Sequence, residues 1–263
     1  MAPGRRWFTV YLVAGLGIAV STIVLIIAAQ VGYVGDKDSP FAALGERDVQ
    51  AAVWLSLWTS TFATTLAMVV AIPSAYALAR LRFRGRILVD ALLDVPIVLS
   101  PVVIGIALIL VFRSGPGQWI ENHVVRFVFE VPGIVIAQFV LSLAMQVRVL
   151  KAGFEEMNPR YEQVARFLGC TPFGAFWRVT LPMCRSSIVA AFVLGWSRAL
   201  GDFGATVMVA GSVRNKTETI PVAIYNNLAS VKIGKALGLA ILLTAIALAV
   251  LLVVRVIVGR SAR

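Results

Sequence analysis

The stretch Val49-Gln-Ala-Ala-Val-Trp-Leu-Ser-Leu-Trp-Thr-Ser-Thr-Phe-Ala-Thr-Thr-Leu-Ala-Met-Val-Val-Ala-Ile-Pro-Ser-Ala-Tyr-Ala-Leu-Ala79 contains no Asp, Glu, Lys or Arg. A helix rising about 1.5 Å per residue through it more than crosses the roughly 30 Å of hydrocarbon in a bilayer. Uncharged runs of comparable reach occupy residues 7–35, 95–112, 131–147 and 236–254. A sixth apolar block, residues 186–213, is interrupted only by Arg198 and Asp202. Six spans, and an all-α integral membrane protein, are therefore expected.

The composition of the 263 residues agrees, with 59% hydrophobic and 14% charged. A soluble domain is excluded by that balance, and disorder by the length of the apolar blocks. The net charge of +11 does not indicate a nucleic-acid partner, because no soluble module offers a basic face. Membrane lipid is the solvent instead. With the connections assigned alternately, fifteen of the 24 Lys and Arg fall on the side of the amino terminus. They are Arg5 and Arg6, the run Arg80 to Arg86, six within residues 148–185, and Arg255, Arg260 and Arg263. Eight fall opposite: Lys37, Arg47, Arg113, Arg126, Arg214, Lys216, Lys232 and Lys235. The positive-inside rule then puts both termini in the cytoplasm. The first apolar run is too long for a secretory signal and reads as a retained anchor.

Several chemistries lack their residues. No G-x-x-x-x-G-K-[ST] loop, H-E-x-x-H or G-x-S-x-G occurs, so any ATP belongs to another chain. Cys170 and Cys184 read as reduced thiols, and His123, the only histidine, as a solvated loop residue. No metal site is expected. The absence of an internal repeat disfavours a carrier built from inverted halves.

Residues 148–185 are too many for a minimal connection and read as two short helices. Asn158-Pro159 starts the first, Gly169 stops it, and Thr171-Pro172 starts the second. Ala165, Phe167, Leu168, Phe173, Phe176 and Trp177 form an apolar set between Arg166 and Arg178. Two readings stand: these side chains dock into a partner's groove, or they fold back on the span ends.

Here the residues become recognisable. Tyr161-Glu-Gln-Val-Ala-Arg-Phe-Leu-Gly169, nine residues, then Val179-Thr-Leu-Pro182 resembles the EAA loop of ABC-importer permeases, E-A-A-x3-G-x9-I-x-L-P. Gln163 and Val164 depart from the motif; Glu162, Ala165, Gly169, Leu181 and Pro182 fit it. The resemblance continues through residues 72–80 and 95–105. Residues 197–211 and 216–225 look like the oxyanion branch, nearest molybdate and tungstate permeases and then sulfate permeases, with Asp202 where that branch usually has Glu.

The resemblance implies that the whole of 1–263 is one permease domain in a prokaryotic inner or plasma membrane. It implies a homodimer of this chain, two cytoplasmic ATP-binding subunits gripping the loop, and an external solute-binding protein. The chain itself would be no enzyme and bind no cofactor, with ATP and Mg held by the partner ATPase. Glu162, Ala165, Leu168, Gly169, Leu181 and Pro182 would then couple the loop to that ATPase.

Arg198 and Asp202, spaced i and i+4, would share one face of a helix. Charges inside a span are expensive, so they form either a structural ion pair or part of an anion pathway. Ser56, Ser60 and Thr64 repeat every four residues and either line that pathway or hydrogen-bond between helices. Pro73, Pro96 and Pro101 should kink or interrupt their spans. Arg214 and Lys216, on the outer side, would meet the binding protein or concentrate anions near an entrance.

Overall fold

The structure, a computed structural model, describes residues 3–32 and 45–261. Lys37, Arg263 and the end of the first apolar run lie outside them. The helices are α1 (Pro3–Gly32), α2 (Arg47–Arg80), α3 (Arg86–Val98), α4 (Pro101–Arg113), α5 (Gly115–His123) and α6 (Val131–Glu156). Next come α7 (Arg160–Phe167), α8 (Pro172–Ala175), a π-turn (Phe176–Thr180), α9 (Leu181–Met183) and α10 (Arg185–Leu200). The last are α11 (Gly204–Ala210), α12 (Ile220–Ala229) and α13 (Ile233–Ser261).

The central post is α6, whose most apolar window is 61% buried, whereas no residue in that of α1 is buried. Lipid is as apolar as leucine, so burying large side chains gives little drive for helices to associate; close approach and hydrogen bonds do that work. Accordingly the face that α2 turns inward is small: Ser56, Ser60, Ala63, Thr64, Ala67, Ala71 and Ala75 are all fully buried. At the end bearing the long loop, α2, α6 and α10 enclose Leu78, Leu150, Phe154, Met157, Cys184 and Ala191. At the other end Val49 and Ala52 pack with Ile220, Ala223 and Leu239 of α12 and α13.

Two of the expected spans are broken. The third splits into α3 and α4, bent by 113° about Leu99 and Ser100. Pro101 sits at the first position of α4, where its missing N–H costs nothing, and it steers Ser100 away from helical geometry. Pro96 lies within the last turn of α3, and α2 runs unbroken through Pro73, so only Pro101 interrupts its span. The fifth span stops at Leu200 and restarts at Gly204. The fourth, expected to end at 147, continues to Glu156, so the loop proper starts later.

The two breaks face each other, since α11 packs against α4 and α6. A Cβ on Gly204 would lie 3.0 Å from the backbone nitrogen of Val102 and 3.1 Å from Cβ of Pro101, so only glycine fits without displacement. Gly204→Leu should therefore cost about 1–3 kcal/mol by overpacking and lower the thermal midpoint in detergent. Gly15→Leu, where nothing lies within 4 Å, should leave that midpoint unchanged.

Candidate functional site

The loop forms as its residues dictate. Asn158 Oδ1 accepts from the amide of Arg160 at 3.0 Å, and Thr171 Oγ1 accepts from the amide of Gly174 at 3.0 Å. Gly169 ends the first helix at φ +92°, a conformation that costs other residues. Both cysteines are free, Cys184 buried and Cys170 partly exposed.

The apolar set divides. Phe167 is 90% exposed and Leu168 81%, and Phe173 and Trp177 also face outward. Phe176 turns in against Tyr76, with ring centroids 4.7 Å apart. Ala165 is buried between α7 and the π-turn, so it does not offer the docking contact expected of it. Leu181 is half-buried against the core, and Pro182 is exposed.

Glu162 also points inward, its side chain 13% exposed. Its Oε1 accepts from Thr180 Oγ1 at 2.9 Å and from Arg80 Nε at 3.3 Å; its Oε2 accepts from Tyr76 Oη at 3.0 Å. Arg80 also donates to the carbonyl of Met157 at 2.9 Å. One carboxylate thus fastens both halves of the loop to the end of α2. Tyr76 and Arg80 were not singled out in the sequence, although their i, i+4 spacing at a span end is the signal that marks a shared face.

In the fifth span, the expected shared helical face of Arg198 and Asp202 is corrected: Gly201 ends α10 between them. Asp202 lies in the break and caps α11, its Oδ2 accepting from the amide of Thr206 at 2.9 Å and its hydroxyl at 2.8 Å. Arg198 Nη1 still approaches Asp202 Oδ1 at 3.7 Å, an ion pair too long for a hydrogen bond. Among the described residues the buried Oδ1 has no hydrogen-bond partner and the partly exposed guanidinium of Arg198 makes no hydrogen bond.

Ser56 and Thr64 take part in contacts between helices, while Ser60 bonds within its own helix. Ser56 Oγ accepts from the amide of Ile220 at 2.8 Å, Ser60 Oγ donates to the carbonyl of Leu57, and the Thr64 carbonyl accepts from Gln146 Nε2 at 3.2 Å. Gln138, Ser142 and Gln146 form a matching buried ladder on α6, another i, i+4 repeat that the sequence carried unread. Lys216 is paired with Glu130, which offsets the free positive charge expected there; Arg214 borders a cavity of about 120 Å³ with Glu46, Asp48, Glu218 and Lys235. His123 is exposed, its Nδ1 2.9 Å from the carbonyl of Trp119. Among the described residues no group of three or more His, Cys, Asp or Glu is placed to hold a metal ion.

An all-helical membrane body with broken spans and a long loop seated on one end defines a multi-pass transport component. Residues 63–263 match the family of binding-protein-dependent transport system inner membrane components, and the chain belongs to that ABC permease family. It is 32% identical over 221 residues to the sulfate transport system permease protein CysW of Synechocystis, covering 83% of this chain and 80% of that one. It is 33% identical over 179 residues to the molybdenum transport system permease protein ModB of Haemophilus influenzae, covering 67% and 78%. A bacterial ABC transporter involved in import of the acidic polysaccharide alginate has a chain of similar fold, TM-score 0.77 at 18% identity, over 99% of this chain and 98% of that one.

Glu162→Ala should strand Tyr76, Arg80 and Thr180 half-buried and unpaired, at about 1–3 kcal/mol. Trypsin should then cut after Arg166 and Arg178 faster than in the parent. Phe167→Ser, at an exposed position, should leave the cleavage rate unchanged.

Proposed function

We propose that this chain is the transmembrane subunit of an ATP-driven importer of a tetrahedral oxyanion, working by alternating access as a homodimer. The observation that carries this reading is the loop, seated on α2 through Glu162 while Phe167, Leu168, Phe173 and Trp177 stay uncovered. An exposed apolar cluster of that size on a membrane protein's polar end calls for a protein partner. The partner is a cytoplasmic ATPase subunit, two per dimer, which holds the ATP and Mg. With the loop end cytoplasmic, the basic residues around it obey the positive-inside rule and both termini are cytoplasmic. An external solute-binding protein delivers the anion to the opposite end, where Arg214 is exposed.

Likeness to sulfate and molybdenum permeases supports an oxyanion cargo. The CysW likeness extends over more of the chain than the ModB likeness, which favours sulfate over the molybdate expected from residues 197–211. Arg198 fits the pathway role: a guanidinium with unspent donors matches a tetrahedral oxyanion. Asp202 keeps it in place and caps the restarted helix.

ATPase activity of the reconstituted complex, titrated with sulfate, molybdate and tungstate alongside uptake of each, tests the reading. Stimulation by one of these anions supports it and names the cargo; absence of any co-purifying ATPase overturns it. Gly169→Asp forces an L-residue into a left-handed turn beside the exposed tip and should release the ATPase subunit. Asp202→Asn should lower uptake at least about tenfold with normal membrane insertion, roughly the loss of one charged hydrogen bond; wild-type uptake would remove Asp202 from the pathway.

A further inference from the structure

The turn between α2 and α3 reads Arg80-Leu-Arg-Phe-Arg-Gly-Arg-Ile-Leu88. Its four arginines divide into two kinds. Arg80 is spent on Glu162 and the carbonyl of Met157, and Arg86 donates to Glu155 at 2.9 Å. Arg82 and Arg84 are exposed and, among the described residues, carry no ion pair or hydrogen bond. Between and beyond them Leu81, Phe83, Ile87 and Leu88 are exposed too, Ile87 at 87%. Gly85, at φ +88°, reverses the chain so that Arg82, Arg84, Ile87 and Leu88 border one open groove of about 790 Å³.

The helix that follows is two-faced. Asp90 accepts from Lys151 at 2.6 Å and Asp94 pairs with Arg148, which ties the polar side of α3 to α6. Ile87, Leu88, Leu92 and Val98 are left without a covering element on the other side. An amphipathic helix with a basic leading turn is the arrangement that lies in a membrane interface, its apolar face among acyl chains and its cations at headgroup level.

We propose that this turn is a binding site for anionic phospholipid of the leaflet on the loop side, with Arg82 and Arg84 taking the headgroup phosphate and Phe83, Ile87 and Leu88 lying along the acyl chains. A second copy of this chain is a poor occupant of this turn, because a symmetric contact there would set Arg82 and Arg84 against the same two arginines of the other copy. A soluble acidic protein would satisfy the arginines and leave the interleaved apolar side chains uncompensated. A phospholipid satisfies both in the order in which the sequence alternates them.

The test uses the full chain, with its ATPase partner where that co-purifies, in phosphatidylcholine bilayers carrying spin-labelled phosphatidylglycerol or spin-labelled phosphatidylcholine. The parent should hold the anionic probe in preference to the neutral one, less so at high salt. Arg82→Gln with Arg84→Gln should lower that preference by about fivefold or more. Arg160→Gln with Arg178→Gln removes the same charge from the same face and should leave the preference unchanged. Equal preference in the Arg82/Arg84 variant overturns the proposal. So does loss of the preference on adding millimolar inorganic phosphate, which would indicate a site for free anion, or cross-linking of the Arg84→Cys variant through that position to a protein partner instead of lipid. Cargo identity does not enter this measurement, so it stands or falls apart from the import reading.

Discussion

Helices in hydrocarbon cannot be held together by hiding apolar surface, and the seam between α2 and α6 is built around that constraint. One side is a ladder of Ser, Thr and Ala; the other presents Gln138, Ser142 and Gln146, all fully or nearly fully buried. Small side chains bring the backbones close enough for dispersion to accumulate, and Gln146 and Ser142 reach across to Thr64, while the Oε1 atoms of Gln138 and Gln146 are left without a partner among the described residues. Trp196 of α10 joins the same cluster, its indole donating to Thr61 at 3.1 Å. The outer helices can then afford to be plain: α1 and α13 are apolar nearly all round, and α1 touches the rest lightly.

With the post fixed, the third and fifth spans are free to be irregular. Each break exposes backbone donors and acceptors that must be satisfied within the protein. At the α10–α11 break Asp202 supplies that satisfaction through Thr206, which is why a carboxylate is tolerated at that depth. At the α3–α4 break Pro101 removes a donor outright. The absence of a side chain at Gly204 lets the two restarted helices meet, so the irregular segments support one another.

Much of this was legible in the sequence because length and charge speak directly to a bilayer. The long apolar helices, the two-helix loop, its capping residues and the left-handed stop at Gly169 all follow from local chemistry, whereas the count of six spans does not: four helices are long and apolar enough to cross, and six are reached only if each sharply bent pair is one span. The direction in which side chains point did not. Glu162 and Ala165 sit on a short helix whose inner face is defined only by Tyr76, Arg80 and Thr180, far away in the chain or across the π-turn. Arg198 and Asp202 misled for a related reason: spacing of four implies a shared face only where the helix is continuous, and Gly201 ends it. The neighbours of the inward hydroxyls of α2 come from α6 and α12, which no spacing within α2 specifies.

The seating of the loop through a single buried carboxylate gives it a mechanical character. Phe167 and Leu168 stand at the end of α7, and one turn back on that helix Glu162 is held by the Thr180 hydroxyl, the Tyr76 phenol and Arg80. The loop is therefore a lever with its fulcrum at the foot of α2. A force on the tip would bear on the end of α2, where Tyr76 and Arg80 hold that carboxylate.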